Sequence, residues 1–594
     1  MTQSLRRSQF ITIYGPGAIL EGPEGPRVIS DLAHSELFNQ QRRPQEFEIT
    51  DLRLSQTLPN SAGILRLPSN AEVTELDSQW IYSTTPFPAW ALCVRHSLLY
   101  HKTSGDNRAC PHCDPLTNQT EAWKQVRRQA IRFVRACPAG HLDDVDWVRL
   151  IQHKRNDCHP AYLYWHGGGG SLRHIDIICP GCDARVNLGL SYSRELPCSG
   201  RFPEWSKDRP NNCDRPSKII QRGAANLRIA ELQTALTIPP RSTPLHRMLE
   251  TFAVRIVLRT LKPTSKQKLL EALQDLVADQ SIRSSVVTVI SNYSEAEILA
   301  AINDTVAGPL PTDVPSLRLE EFRALQYAAT HGAPPKQSSR PGDPHQFEVV
   351  QAHVRTIVGT NHQKLRITPV NRLRVVMVQT GYRRLDPMNA PIDCVYDDGQ
   401  RSWYPGVELF GEGIFIDRVP DNQSNSKRYL TGSAADSWLN AWIDPQKYDP
   451  RYHPEIRGQF HPVFVWWHTL AHRLINALSI DSGYSSAAVR ERVYVDINEN
   501  TKDASGGILL YTVQPGGDGT LGGLVALVHQ FERVLETALR NIDACSNDPL
   551  CGEEVFAPEK YNGAACYACA LVSETSCEYR NMRLDRNLLL DNLP

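Results

Sequence analysis

Apolar residues recur at i, i+3, i+4 and i+7 in three successive stretches: LHRMLETFAVRIVLRTL, SKQKLLEALQDLVA and SEAEILAAINDTV. That period puts the apolar positions on one helix face and predicts an amphipathic helical segment over 236–330. TSKQ and YSEAE supply capping residues for the second and third stretches. Ahead of them, residues 1–90 alternate short apolar runs such as FITIY with Gly/Pro turns, a pattern of short strands. After them, HGAPPKQSSRPGDPHQ at 331–346 reads as a surface loop or linker. Strand patterns then return in RLRVVMVQTGYRRL and GVELFGEGIFIDRV. FHPVFVWWHTLAHRLINALSI reads as a strongly apolar helix, RVYVDI and GGILLYTV as strands, and VALVHQFERVLETALRNIDAC as a helix after a glycine-rich turn. Alternating strands and helices over 347–594 argue for a C-terminal α/β domain. The whole is expected to be a mixed α/β (α+β) multidomain chain, with a β-rich start, a zinc-ribbon region at 91–235, a central helical segment and a zinc-binding tail.

Composition narrows the class. The 594 residues suffice for three or four domains and a large core without covalent staples. Hydrophobic residues make up 41% and charged residues 22%, as in an ordinary soluble chain. With 64 Lys+Arg against 65 Asp+Glu there is no global basic excess, so a nucleic-acid surface must be a local patch. No apolar run approaches the ~18 residues of a membrane span, and the N-terminus lacks a signal core. A cytoplasmic location is expected, where disulfides rarely persist.

Fifteen cysteines, most in or near CxxC spacing, then point to zinc rather than disulfides. Cys93-x2-His96, thirteen residues, and Cys110-x2-Cys113 have the layout of a zinc ribbon, with His101 and His112 as spare donors. Cys179 and Cys182 in CPGC, followed by Cys198 and Cys213, form a second candidate set. Cys137, His141 and Cys158 lie nearby as a further half-site or as replacements, Cys137/His141 closing on Cys179/Cys182 for example; spacing leaves the pairing open. In the tail, Cys551, Cys566, Cys569 and Cys577 form the favoured third set, with Cys545 as the alternative to Cys551. Each set offers four protein donors, so these two to three zinc ions are expected to be structural, since a catalytic zinc keeps a position for water.

Other motifs are incomplete. His468 and His472 share one helix face, but Thr469 stands where a zincin needs glutamate, and packed core histidines are the plainer reading. QPGGDGTLGGL, with Asp518, could cradle an anion at a helix start, yet the chain contains no GxxxxGK[ST]. A stand-alone metal-dependent hydrolase or nuclease using His468, His472 and Asp518 is the second functional reading. KQVRRQAIRFVRA carries Lys124, Arg127, Arg128, Arg132 and Arg135, a solvated basic face or a set of phosphate contacts. Trp147, Trp165 and the FVWW aromatics could stack single-stranded bases, though a core role suits them better.

Eight stretches in order, RRSQFITIYGPGAIL, RFVRACPAGHLDD, GGGSLRHIDIICPGC, IIQRGAANLRI, HTLAHRLINAL, GYSSAAVRERVYV, LLYTVQPGGDGTLGGLVAL and GAACYACALVSETSCEYRNMRLDRNLLL, resemble DrmB, the accessory subunit of DISARM anti-phage systems. They run from Arg6 to Leu590. The C-terminal third is similar to a domain also fused to superfamily-2 DNA-repair helicases, where its cysteines hold zinc. The resemblance implies a non-catalytic chain that forms a heterodimer with a DrmA-like superfamily-2 helicase, the ATP site and DNA engagement belonging to the complex. It carries zinc onto Cys551, Cys566, Cys569 and Cys577. His96 departs from the expected four-cysteine ribbon and implies a Cys3His first site or another recruited ligand.

Overall fold

The computed structural model describes residues 5–594 except 23–24, 35–43, 70–71, 73–81, 103–109, 114–128, 168–169, 206–211, 307–309, 334–345, 360, 387–388, 420–429, 451, 482 and 515–522. Lys124, Arg127, Arg128, the 331–346 linker for the most part, and the glycine turn with Asp518 therefore lie outside the described residues. The chain forms two units. One comprises Met1–Phe47, Gly63–Gln233 and Val378–Val407, the other Glu48–Ala62, Thr234–Met377 and Glu408–Pro594. The four sequence segments thus do not map one-to-one onto units.

The first unit is β-rich. A six-stranded sheet runs, in spatial order, Arg185–Asn187, Asp176–Ile178, Tyr162–His166, Leu98–His101, Trp90–Cys93 and Gln129–Ala130. Its hairpin places Cys93 opposite Leu98, so the strand end delivers a cysteine into the turn that follows. A three-stranded sheet of Lys218–Gln221, Phe133–Ala136 and Leu142–Asp143 carries the next cysteines at its rim. Phe133, Trp147, Leu163, Trp165 and Ile177 fill the core between them. Trp147 and Trp165 are core residues, 6.1 Å apart edge to face, and not a stacking platform. FITIY is not a strand: Arg7–Thr12 is a helix whose Phe10 and Ile11 are buried. Gln9 accepts a hydrogen bond from the Arg6 N–H, and this local cap with tertiary burial overrides the strand preference of the β-branched run.

In the second unit the later part of the Ser402–Arg418 strand, from Phe410 to Asp417, pairs antiparallel with Ala504–Gln514, which pairs with Val489–Ile497, so that Ile416, Ile508 and Val493 lie in register. The Pro462–Asp481 helix crosses this sheet. It is buried on every side from Pro462 to His472, as a central helix must be. Trp467 lies against Gly506, where an added Cβ would come 2.5 Å from the indole, so the helix-to-strand approach needs glycine there. Trp466, Leu470 and Leu474 join Trp438, Ile508 and Leu510 in the main core. The FVWW aromatics are thus core, not base platforms.

The predicted helices at 265–278 and 294–306 occur as Lys266–Ala278 and Glu295–Val306. Ser265 caps the first, and Ser294 exchanges hydrogen bonds with Glu297 at the start of the second. The first stretch is two helices, Pro244–Glu250 and Phe252–Leu261, because Thr251 adopts an extended conformation (φ −52°, ψ 138°) and breaks the ladder. The last predicted helix is likewise split. Val525–Gln530 is 3-10 and only Phe531–Leu539 is α-helical. Among the described residues no helix is long and apolar enough to cross a membrane.

Candidate metal centres

Among the described residues five groups bring four donor atoms within 4.8 Å of one another. None of the fifteen cysteines is in a disulfide. Close sulfur–sulfur separations in these groups run from 3.4 Å for Cys110–Cys113 to 3.8 Å for Cys93–Cys113, against ~2.05 Å in a disulfide. A tetrahedron with ~2.3 Å zinc–sulfur bonds has edges of about 3.8 Å. The spacing is that of ligands gathered around a common centre.

The first group is Cys93, His96, Cys110 and Cys113, as spacing predicts. His96 Nδ1 lies 3.3 Å from Cys110 Sγ and 3.4 Å from Cys113 Sγ. The Cys113 N–H closes its knuckle on the Cys110 carbonyl. His101 instead packs edge-on to Trp90, and His112 edge-on to Tyr162. The departure to histidine therefore leaves a complete Cys3His set.

The second predicted set is divided. Cys198 and Cys213 join Cys137 and His141, whereas Cys179 and Cys182 join His153 and Cys158. The reason is topological. The turn of CPAGH folds back on itself, Gly140 N–H donating to the Cys137 carbonyl, so Cys137 Sγ and His141 Nδ1 come within 3.2 Å. Gly140 takes φ +91°, which only glycine adopts readily. Cys198 stands 3.5 Å from the same His141 nitrogen. CPGC lies at the end of another strand, Asp176–Ile178, beside the loop after Trp147–Leu150. There His153 Nδ1 is 3.4 Å from Cys182 Sγ and Cys158 Sγ is 3.5 Å from Cys179 Sγ. The spacing rules missed His153; its signal was the sequence His153-x4-Cys158 ahead of the CPGC knuckle.

At Cys182 and His141 local electrostatics favour the form that binds a metal. The Lys154 N–H, followed by His153 and the Ala184 N–H, pulls the Cys182 thiol down to about 6, although desolvation pushes the other way. At His141, burial and then the Arg384 cation lower the pKa and favour the neutral imidazole that binds metals. His153 points its other nitrogen, Nε2, at the Val148 carbonyl 3.0 Å away, which orients the ring.

In the tail the knuckle Cys566–Cys569 is completed by Cys551 and Cys545, not by Cys577. Cys545 Sγ is 3.5 Å from Cys566 Sγ, and Cys551 Sγ is 3.7 Å from Cys569 Sγ. Cys577 is carried away because the chain after Cys569 runs along the central sheet. The Glu491 N–H donates to the Ser576 carbonyl, and Ser576 Oγ to the Ser486 carbonyl. This path brings Cys577 to His468, His472 and Glu491, the fifth group.

Of the basic residues within the described part, Arg132 is exposed, and Arg135 holds Asp143 at 3.1 Å and the Pro197 carbonyl at 3.2 Å. His468 and His472 are fully buried. The thiolate and imidazole donors of the first four groups fit zinc by type and number, with no donor missing.

Residues 6–229 match a domain of unknown function, DUF8724, and residues 470–570 match the MrfA Zn-binding domain. The chain is 30% identical over 488 residues to the DISARM protein DrmB of Bacillus paralicheniformis, covering 78% of this chain and 81% of that protein. A structure of the DUF1998 helicase MrfA bound to DNA is 13% identical over 36% of this chain and 24% of its own, with a TM-score of 0.19, too slight a likeness to argue from. With this extent of identity to a curated member, the chain belongs to the DrmB family of DISARM proteins.

Proposed function

We propose that the chain is a non-catalytic, zinc-held accessory subunit that pairs with a DrmA-like helicase and contributes to DNA engagement in anti-phage defence. The observation that carries this reading is the closure of its donor groups. Each of the four Cys/His groups already offers four protein atoms, leaving no position for a reacting water. Zinc held this way would fix loops rather than activate a nucleophile. In the first unit, Cys93, His96, Cys110 and Cys113 would tie one hairpin. Cys137, His141, Cys198 and Cys213 would tie the rim of the three-stranded sheet, and His153, Cys158, Cys179 and Cys182 the end of the six-stranded one. Cys545, Cys551, Cys566 and Cys569 would order the tail. The absence of GxxxxGK[ST] from the sequence fits an ATP site located on a partner.

The test is to co-express the tagged chain with a DrmA-like helicase and assay the size-exclusion peak for ATPase and nuclease activity. A stoichiometric complex with DNA-stimulated ATPase, and no cleavage by this chain alone, is expected. Metal-dependent cleavage by the isolated chain, abolished in His468→Ala, would instead establish the hydrolase reading.

A further inference from the structure

We infer that His468, His472, Glu491 and Cys577 form a fifth metal centre, a closed two-histidine, one-carboxylate, one-thiolate site for a divalent ion of the zinc class. It extends the zinc-held reading to a donor set that no family match spans, since the matched zinc-binding domain begins after His468 and ends before Cys577.

The four side chains come from the Pro462–Asp481 helix, the Val489–Ile497 strand and the tail. Both histidines and Glu491 are 0% exposed, and Cys577 is 6% exposed. His468 Nε2 lies 2.9 Å from Glu491 Oε1 and 3.3 Å from Cys577 Sγ. His472 Nε2 lies 3.3 Å from Oε1 and 3.2 Å from Oε2 of the same carboxylate.

Outer contacts decide what faces inward. The Nδ1 atoms stand 3.1 Å from the Arg583 carbonyl for His468 and 2.7 Å from the Ala570 carbonyl for His472. A carbonyl only accepts, so each Nδ1 carries the hydrogen and a neutral ring turns its Nε2 lone pair toward Glu491 and Cys577. This is the carbonyl-held imidazole of metal sites. The Cys577 sulfur in turn accepts from the Tyr579 N–H at 3.3 Å and the Asn581 N–H at 3.2 Å, which hold it in place beside His468.

Protons alone fill this centre poorly. Were one ring protonated at Nε2, it would balance Glu491, but the other ring would hold a lone pair against the carboxylate in a dry site. Were both protonated with Cys577 a neutral thiol, a net positive charge would be buried. Glu491 Oε2 is moreover a buried oxygen that makes no hydrogen bond. One divalent cation answers all of this. Two neutral imidazoles, a carboxylate and a thiolate sum to −2, and the ion makes the centre neutral with four donors of the types zinc takes. No position is left for water, so the site clamps the tail to the helix and strand.

The test reads the intact full-length chain. Crystals would be measured by anomalous scattering on both sides of the zinc absorption edge, and metal per chain counted by elemental analysis. A peak among His468 Nε2, His472 Nε2, Glu491 and Cys577 Sγ is expected, with one ion fewer per chain in Glu491→Gln and in Cys577→Ser. Peaks at the four Cys/His groups and none here would overturn this centre while leaving those groups standing. No peak at any group would overturn this centre and the zinc-held reading together. The wild-type measurement decides the matter even where a variant does not fold.

Discussion

His153 Nδ1 and Cys182 Sγ lie 3.4 Å apart, although twenty-nine residues separate them in the chain. That contact assigns CPGC to a different centre from Cys198 and Cys213. Elemental analysis of single and double variants checks it. Cys182→Ser and Cys213→Ser should each remove one zinc, and the double variant two. His153→Ala combined with Cys182→Ser should remove one. Loss of a single ion in the Cys182/Cys213 double variant would show that the two cysteines share a centre after all.

A buried ion pair in the second unit sets a stability expectation. Arg492 Nε lies 2.9 Å from Glu321 Oε2, with both side chains wholly inaccessible. The Glu321 Oε1 also accepts from the Leu236 N–H at 2.8 Å. Removing Glu321 leaves Arg492 with only the more distant Glu578 carboxylate, 3.9 Å away, so Glu321→Ala should cost about 3–5 kcal/mol in denaturant unfolding. Replacing both by apolar residues of similar size should cost much less. Equal losses in the single and double variants would count against a charge effect.

Glu250 gives the chain a pH dependence near neutrality. Burial, and then the Asp51 carboxylate, push its pKa up to about 7, against the opposing Arg241 cation. The folded state therefore keeps the proton longer than the unfolded chain, whose value is near 4.5. The associated stability is complete below that lower value and is lost as pH rises through about 7, to an extent of at most ~3 kcal/mol. Between pH 6 and 8.5 the wild type should lose denaturant resistance relative to Glu250→Gln. Parallel profiles for the two proteins would refute the assignment.

Gly506 should tolerate no side chain. An alanine Cβ would sit 2.5 Å from Trp467 Cδ1 and 3.0 Å from the Tyr494 carbonyl oxygen. The central helix would have to lift, and Gly506→Ala should cost about 1–3 kcal/mol. A melting temperature within a degree of wild type would show that the helix yields freely.

Legibility in the sequence followed the range of the interactions. The strand at Lys364–Arg383 and the helix at Pro462–Asp481 were readable because their periodicity is continuous and long. The Cys93–Cys113 group was readable because two short knuckles hold all its donors. Cys577 was misplaced for the opposite reason. Its eight-residue distance from Cys569 imitates a knuckle, while its partners on helix and strand lie up to 109 residues away. The same limit hid Glu491 and His153 among ordinary charged and polar residues. Helix Ser284–Ser291 was missed because SSVVTVIS is rich in β-branched residues, and only the packing of Ile290 reveals its period.

The interleaving of the two units bears on synthesis. The first unit uses Val378–Val407, and the second uses Glu48–Ala62 together with everything from Glu408 onward. A ribosome emitting the chain from its N-terminus releases neither unit whole until well over half the polypeptide has emerged. Residues 93–213, which carry three of the four-donor groups, emerge long before the Val378–Val407 segment that completes their unit.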